Sequence, residues 1–208
     1  MYNRLITFGC SFTYGECLPD NNTKEIPHLN NYPSIYAWPQ ILANKLGIEC
    51  FNKGECAVSN KQIAYNILNF PFSNNDLVIV LWTFHTRHCV IYPNYILRIG
   101  PWNYKTPIKK DTAVAYYKYF NQEKDVIFTN YLYYNTCFNF LKNKNIKTLY
   151  LTVSDNTLHN LSWNEVCFVP LFFDTLKNDY HPALDDIHPG VEAHNFFANE
   201  IYNKYINI

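Results

Sequence analysis

A serine hydroxyl attacks an acyl carbonyl only when a base can take its proton, and the base works best when a carboxylate holds its ring in one tautomer. Ser11 is the residue placed for such a role. It sits in Phe8-Gly-Cys-Ser-Phe-Thr-Tyr-Gly15, behind the β-branched and aromatic run Arg4-Leu-Ile-Thr-Phe8. Glycines on both sides let the chain leave a strand sharply, so that a small side chain stands above the sheet edge. Gly-x-Ser turns are common, however, and a capping serine at a strand-to-helix turn has the same appearance. The partners come from the far end, Asp185-Asp-Ile-His188-Pro-Gly190. A spacing of three within a turn brings Asp185 and His188 to one face, which leaves the second imidazole nitrogen for Ser11, and Pro189-Gly190 then opens the final helix.

These two blocks resemble those of the SGNH (GDSL-type) hydrolases, which carry the nucleophile in an N-terminal Gly-Asp-Ser block and the other two catalytic residues in a C-terminal Asp-x-x-His block. The resemblance implies Ser11 as nucleophile, His188 as general base and Asp185 as its orienting carboxylate. Cys10 stands where the family has aspartate, and reads as a packed small residue. The middle blocks depart further. The family's oxyanion block runs Asn, four residues, Gly, one residue, then Ser or Thr. Counted from Asn52 its glycine falls on Ala57, with Ser59 in place. The Ala57 N–H then serves beside that of Ser11, on condition that the Ala57 φ is negative; Gly54 is the alternative donor. An ordinary loop capped by Ser59 or Asn60 is the plain alternative. After the third strand the family has Gly-x-Asn-Asp, and this chain has Thr83-Phe-His85-Thr-Arg87. His85 by counting, or Thr83 by reach, is the candidate third donor.

The elements that must position these residues alternate between strand and helix patterns. Trp38 to Leu46 has Pro39 in its first turn, an apolar stripe of Trp38, Ile41, Leu42 and Leu46, and a stop at Gly47. Ile48–Phe51 reads as a short strand, and a helix runs through Ile63, Ile67 and Leu68. Asp76-Leu-Val-Ile-Val-Leu-Trp82 is continuously apolar, as a central parallel strand is. Residues 92–111 show neither period; with Tyr92, Tyr95, Trp102 and Tyr104 they read as an irregular substrate loop over the Ser11 edge. Two helices follow between Tyr116 and Lys142, broken near Gln122. Then come a strand at Ile146–Thr152, an irregular stretch over 153–184, and a closing helix with the stripe Val191, His194, Ala198, Ile201 and Tyr205. The pattern predicts one domain over residues 1–208, a three-layer α/β sandwich with a mostly parallel sheet, and the resemblance implies its flavodoxin-like form.

Composition bounds the function. Seventeen basic residues balance seventeen acidic ones, which leaves no footprint for nucleic acid or an anionic membrane. No run approaches the ~20 apolar residues of a span, and no signal-peptide pattern follows Met1. Seven cysteines, an odd number with no Cys-x-x-Cys pair, read as reduced thiols in a cytoplasmic setting. Abundant Asn, Lys, Ile, Tyr and Phe suit an A/T-rich genome such as that of a virus. His85, His88 and Cys89 lie close together but do not match zinc spacings, so neither a metal nor another cofactor is expected. Arg87 reads as a surface or loop-anchoring residue. Six glycines leave no phosphate-cradling loop, which argues against a nucleotide binder. The expected activity is hydrolysis of short acyl esters, such as O-acetyl groups on a glycan, the aromatic loop suiting a sugar better than a lipid tail. The competing expectation is a binding module of the same fold, favoured by the lost middle blocks. The sequence does not fix the oligomeric state.

Overall fold

The computed structural model describes residues 2–21, 32–105, 110–153, 168–169 and 179–206. Its centre is the sheet β2-β1-β3-β6-β7, all parallel, formed by β1 (Arg4–Gly9), β2 (Glu49–Gly54), β3 (Asp76–Trp82), β6 (Lys147–Thr152) and β7 (Phe168–Val169). The other elements are α1 (Ser11–Tyr14), α2 (Trp38–Leu46), α3 (Asn60–Leu68), the antiparallel hairpin β4 (His88–Ile91) and β5 (Ile96–Ile99), α4 (Lys110–Tyr119), α5 (Glu123–Asn143) and α6 (Val191–Ile201).

The path explains the layers. From β1 the chain crosses through α2 to β2 on one side, then returns through α3 to β3 on the other side of β1. Right-handed crossovers taken in opposite directions put α2 and α3 on opposite faces. Accordingly α2 packs with α6, Trp38 against Phe197 at 5.4 Å, while α3 packs with α5. Every residue of β3 is buried, as its uninterrupted apolar sequence requires of a strand covered on both faces. The direction reverses between β1 and β3, and at such a point loops diverge and open a crevice at the carboxyl ends of the strands. Ser11 follows β1 and Thr83 follows β3 there.

Several elements correct the sequence reading. The stretch 92–111 is not irregular throughout: Ile96–Ile99 pairs with His88–Ile91 in a hairpin, and Pro101–Lys105 forms a 3-10 turn. β7 falls within the stretch expected to be irregular. The second strand runs on to Gly54, three residues past its expected end at Phe51. The helix from Trp38 to Leu46 and the break near Gln122 stand as the periodicity predicts, but the first of the two later helices begins at Lys110, six residues before its expected start at Tyr116.

Candidate active site

Cys10 follows β1 in an extended conformation, and its carbonyl accepts from the Thr13 and Tyr14 N–H groups, so Ser11 begins a single helical turn. Gly15, at φ 78°, closes that turn by donating to the Ser11 carbonyl. The turn is wedged tightly into the sheet edge. A Cβ on Gly54 would lie 2.5 Å from the Tyr14 nitrogen, so β2 approaches α1 as only glycine allows. Asn52 completes the joint: its Nδ2 donates to the Thr13 carbonyl at 2.6 Å and its Oδ1 accepts from the Gly54 N–H at 2.9 Å. Ser11 is buried, and Cys10 is a fully buried small residue in the core.

The turn at the other end of the chain is held as firmly. Asp185 Oδ1 accepts from the backbone N–H groups of Ile187 and His188, at 3.1 and 3.0 Å, and Oδ2 accepts from His188 Nδ1 at 2.6 Å. These bonds stabilise the carboxylate and outweigh the opposing effect of burial, which lowers the Asp185 pKa below the ordinary range. Leu184 N–H donates to the Cys17 carbonyl, and the ring of Phe12 meets His188 edge-on at 5.7 Å, so this turn is docked onto the segment that follows Ser11.

Asp185 and His188 are thus paired as their spacing predicts. Ser11 and His188 are not joined by a hydrogen bond. The nitrogen expected to serve Ser11, His188 Nε2, instead lies 3.4 Å from Glu16 Oε2. The Glu16 carboxylate also acts on Cys56, whose thiol pKa is pushed up by burial and by that negative charge. Sequence reasoning missed Glu16; its only signal was its position one residue past the Gly15 turn.

Ala57 adopts φ 61°, which corrects the condition set for it. An L-residue stands in a left-handed conformation at the place where the family has glycine. The loop is held from outside by Arg98 on β5, whose guanidinium donates to the Cys56 carbonyl at 2.8 Å and to Gln62 Oε1 at 2.9 Å and pairs with Glu55. Ser59 caps α3 by accepting from the Gln62 N–H. Asn60, noted in the sequence only as a cap, grips β3's exit: its Oδ1 accepts from Thr83 N–H at 2.8 Å and its Nδ2 donates to the Thr83 carbonyl at 2.9 Å. The Thr83 hydroxyl is buried without a hydrogen-bond partner among the described residues. His85 is half-buried and lines a separate cavity, and burial lowers its pKa.

Of the expected substrate loop, Tyr92 and Tyr95 stack on each other at 4.5 Å at the exposed hairpin tip. Trp102 lies over the Arg87 guanidinium at 5.0 Å; the Tyr104 side chain is outside the described residues. Cys17 Sγ, an Asp185 oxygen and a His188 nitrogen lie within 4.8 Å of one another. A metal ion could be held there only by competing with the short bond between Asp185 and His188. The cysteines 10, 17, 50, 56, 89 and 137 are free thiols, and Cys167 is outside the described residues. No helix among the described residues is long and apolar enough to cross a membrane.

No protein-family model and no curated protein sequence matches the chain. Solved structures do. An acetyl xylan esterase superposes with a TM-score of 0.53 at 13% identity, covering 98% of this chain and 100% of that one. The fold is that of the SGNH hydrolases. A catalytic mutant of an acetylxylan esterase from Geobacillus stearothermophilus gives 0.52 at 15% identity, over 97% of this chain and 94% of the other. A carbohydrate esterase, described as having an active site with divergent catalytic and non-catalytic binding functions, gives 0.55 at 11% identity, over 96% and 63%. At these identities the likeness to SGNH hydrolases is one of fold, and the function has to be argued from the site.

Proposed function

We propose that the protein is a serine esterase of the SGNH type acting on short acyl esters, O-acetyl groups on a glycan being the favoured substrates. The observation that carries this reading is the 2.6 Å bond between His188 Nδ1 and Asp185 Oδ2, in a turn docked beside the Ser11 turn. A carboxylate can only accept there, so Nδ1 carries the proton and Nε2 is left as the basic nitrogen. Ser11 Oγ attacks the acyl carbon while Nε2 takes its proton. The same proton passes to the leaving alkoxide, and water, deprotonated by Nε2 in turn, releases the acid. Negative charge on the carbonyl oxygen is met by the Ser11 N–H, by the Ala57 N–H in its left-handed conformation in place of the negative φ first required of it, and by one side chain. Thr83 is favoured over His85 for that last place, because its buried hydroxyl has no other partner while His85 faces a cavity elsewhere. Tyr92, Tyr95, Trp102 and Tyr104 remain the proposed sugar-facing aromatics, and no cofactor enters the scheme.

The test is covalent. Wild-type protein is expected to react with a fluorophosphonate probe at Ser11, and Ser11→Ala to abolish labelling. p-Nitrophenyl acetate should turn over faster than the octanoate, and the reverse order would sink the short-acyl part. The second reading is a non-catalytic binding module, supported by the Glu16 carboxylate at Nε2, where a nucleophile should be. Folded wild-type protein that stays unlabelled would favour that reading.

A further inference from the structure

Between α3, the β4–β5 hairpin, α4 and α5 lies a cavity of about 600 Å³, within the range that holds a small organic molecule. None of Ser11, Asp185 and His188 lines it, so its use does not depend on the esterase reading. Aliphatic and aromatic groups make up most of its wall, including Val90, Ile99 and Phe120. On one side His88 and Tyr116 stack at 4.5 Å with their planes 16° apart, a pair on whose outer face a further planar ring can continue the stack.

The polar groups in this cavity are arranged for an anion. Lys61 and Arg87 face it against one carboxylate, Asp125, which makes no ion pair with either among the described residues. Burial holds His85 and His88 below their ordinary pKa, so at neutral pH both are uncharged and leave the balance positive. Arg87 is the telling residue. Its guanidinium is fixed over the rings of Phe84 and Trp102, at 4.9 and 5.0 Å, yet it makes no hydrogen bond or ion pair with any described residue. Its Nη1 is buried from solvent without an acceptor. A guanidinium cannot shed its charge, and an unsatisfied buried donor is costly, so an orphan of this kind calls for an acceptor from outside the chain. The sequence reading of Arg87 as a loop anchor accounts for the two stacked rings and leaves the missing acceptor unexplained.

We propose that this cavity is a binding site for a small planar carboxylate, its ring against the Tyr116 and His88 wall and its carboxylate on Arg87, with Lys61 as second cation. The site is separate from the serine centre, with Phe84 between the two: that ring packs on Phe12, beside Ser11, at 6.4 Å.

Titration calorimetry with 2-naphthoate at pH 7, using 2-naphthol as the neutral isostere, tests the site. The expected result is one site per chain that prefers the acid by about tenfold or more, the worth of a charge-assisted hydrogen bond. Arg87→Met should remove that preference, and Lys61→Met should weaken the acid alone. Ser11→Ala should bind as wild type does. Equal affinity for acid and alcohol, an undiminished preference in folded Arg87→Met, or no binding at millimolar concentration would each overturn the proposal. So would loss of binding in Ser11→Ala, which would move the ligand to the serine centre.

Discussion

At the scale of single residues the site contains two surprises, and both lie beside residues that were expected. Glu16 faces the nitrogen that must accept from Ser11, with both side chains mostly buried. In the proposed mechanism that contact has to break before Ser11 can donate. A contact of this kind is worth about 1 kcal/mol, so Glu16→Ala should speed fluorophosphonate labelling roughly fivefold. Slower labelling would mean that Glu16 assists His188 and does not obstruct it. The second surprise is Ala57. Three of the four non-glycine residues with positive φ among the described residues, Cys17, Ala57 and Asp186, belong to the segments around the site, and such strain clusters where geometry is specialised. The left-handed conformation costs an alanine about 1–2 kcal/mol, and a glycine's freer unfolded chain gives back about 0.4–1 kcal/mol of that. Ala57→Gly should therefore raise the urea midpoint slightly; a fall would show that the loop relaxes to negative φ in solution.

Among the elements, the hairpin does what no single motif could announce. β5 carries Arg98, which holds the Cys56 carbonyl next to Ala57, and the hairpin thereby braces the proposed oxyanion loop from across the molecule. Replacing Arg98 by Met should cost kcat roughly tenfold with little change in KM, because a misplaced donor is felt chiefly in the transition state. A drop in melting temperature with unchanged kcat would make Arg98 merely structural. The hairpin was readable in principle, since Pro93-Asn94 is a turn signal between two β-branched runs. The prolines and aromatics around it masked runs of only four residues each. Arg98, Asn60 and Glu16 were not readable, because each acts through a contact between segments that share no spacing. Asp185 and His188 were, because three residues in one turn fix their own geometry.

For the molecule as a whole, alternation of strand and helix was enough to infer layers, and β3's unbroken apolar run was enough to place it at the centre. What the pattern could not supply is how α6 joins α2. His194 shows it. The sequence offers it as part of an apolar stripe; in the structure it is fully buried on α6, and its Nδ1 accepts the Trp38 N–H at the start of α2, at 3.0 Å. Burial, aided by the proximity of His188, lowers its pKa to about 3. The folded state therefore keeps this ring neutral where the unfolded chain, with an ordinary value near ~6.5, takes up a proton. That contribution to stability is intact above the unfolded value, is lost progressively as the pH falls below it, and is exhausted near the folded value of about 3. The loss can reach about 1.4 kcal/mol per pH unit in that window. Asp76 and Asp185 also have lowered values and act in the same direction, but only below the carboxylate range, so the interval from pH 6.5 to 4.5 isolates the histidines. His85 and His88, whose values burial also lowers, act in the same direction. His194→Gln keeps an acceptor for the Trp38 N–H and removes the titration, so its urea midpoint should fall less between pH 7 and 4.5 than that of the wild type. Equal slopes in the two proteins would mean that this joint opens to admit a proton.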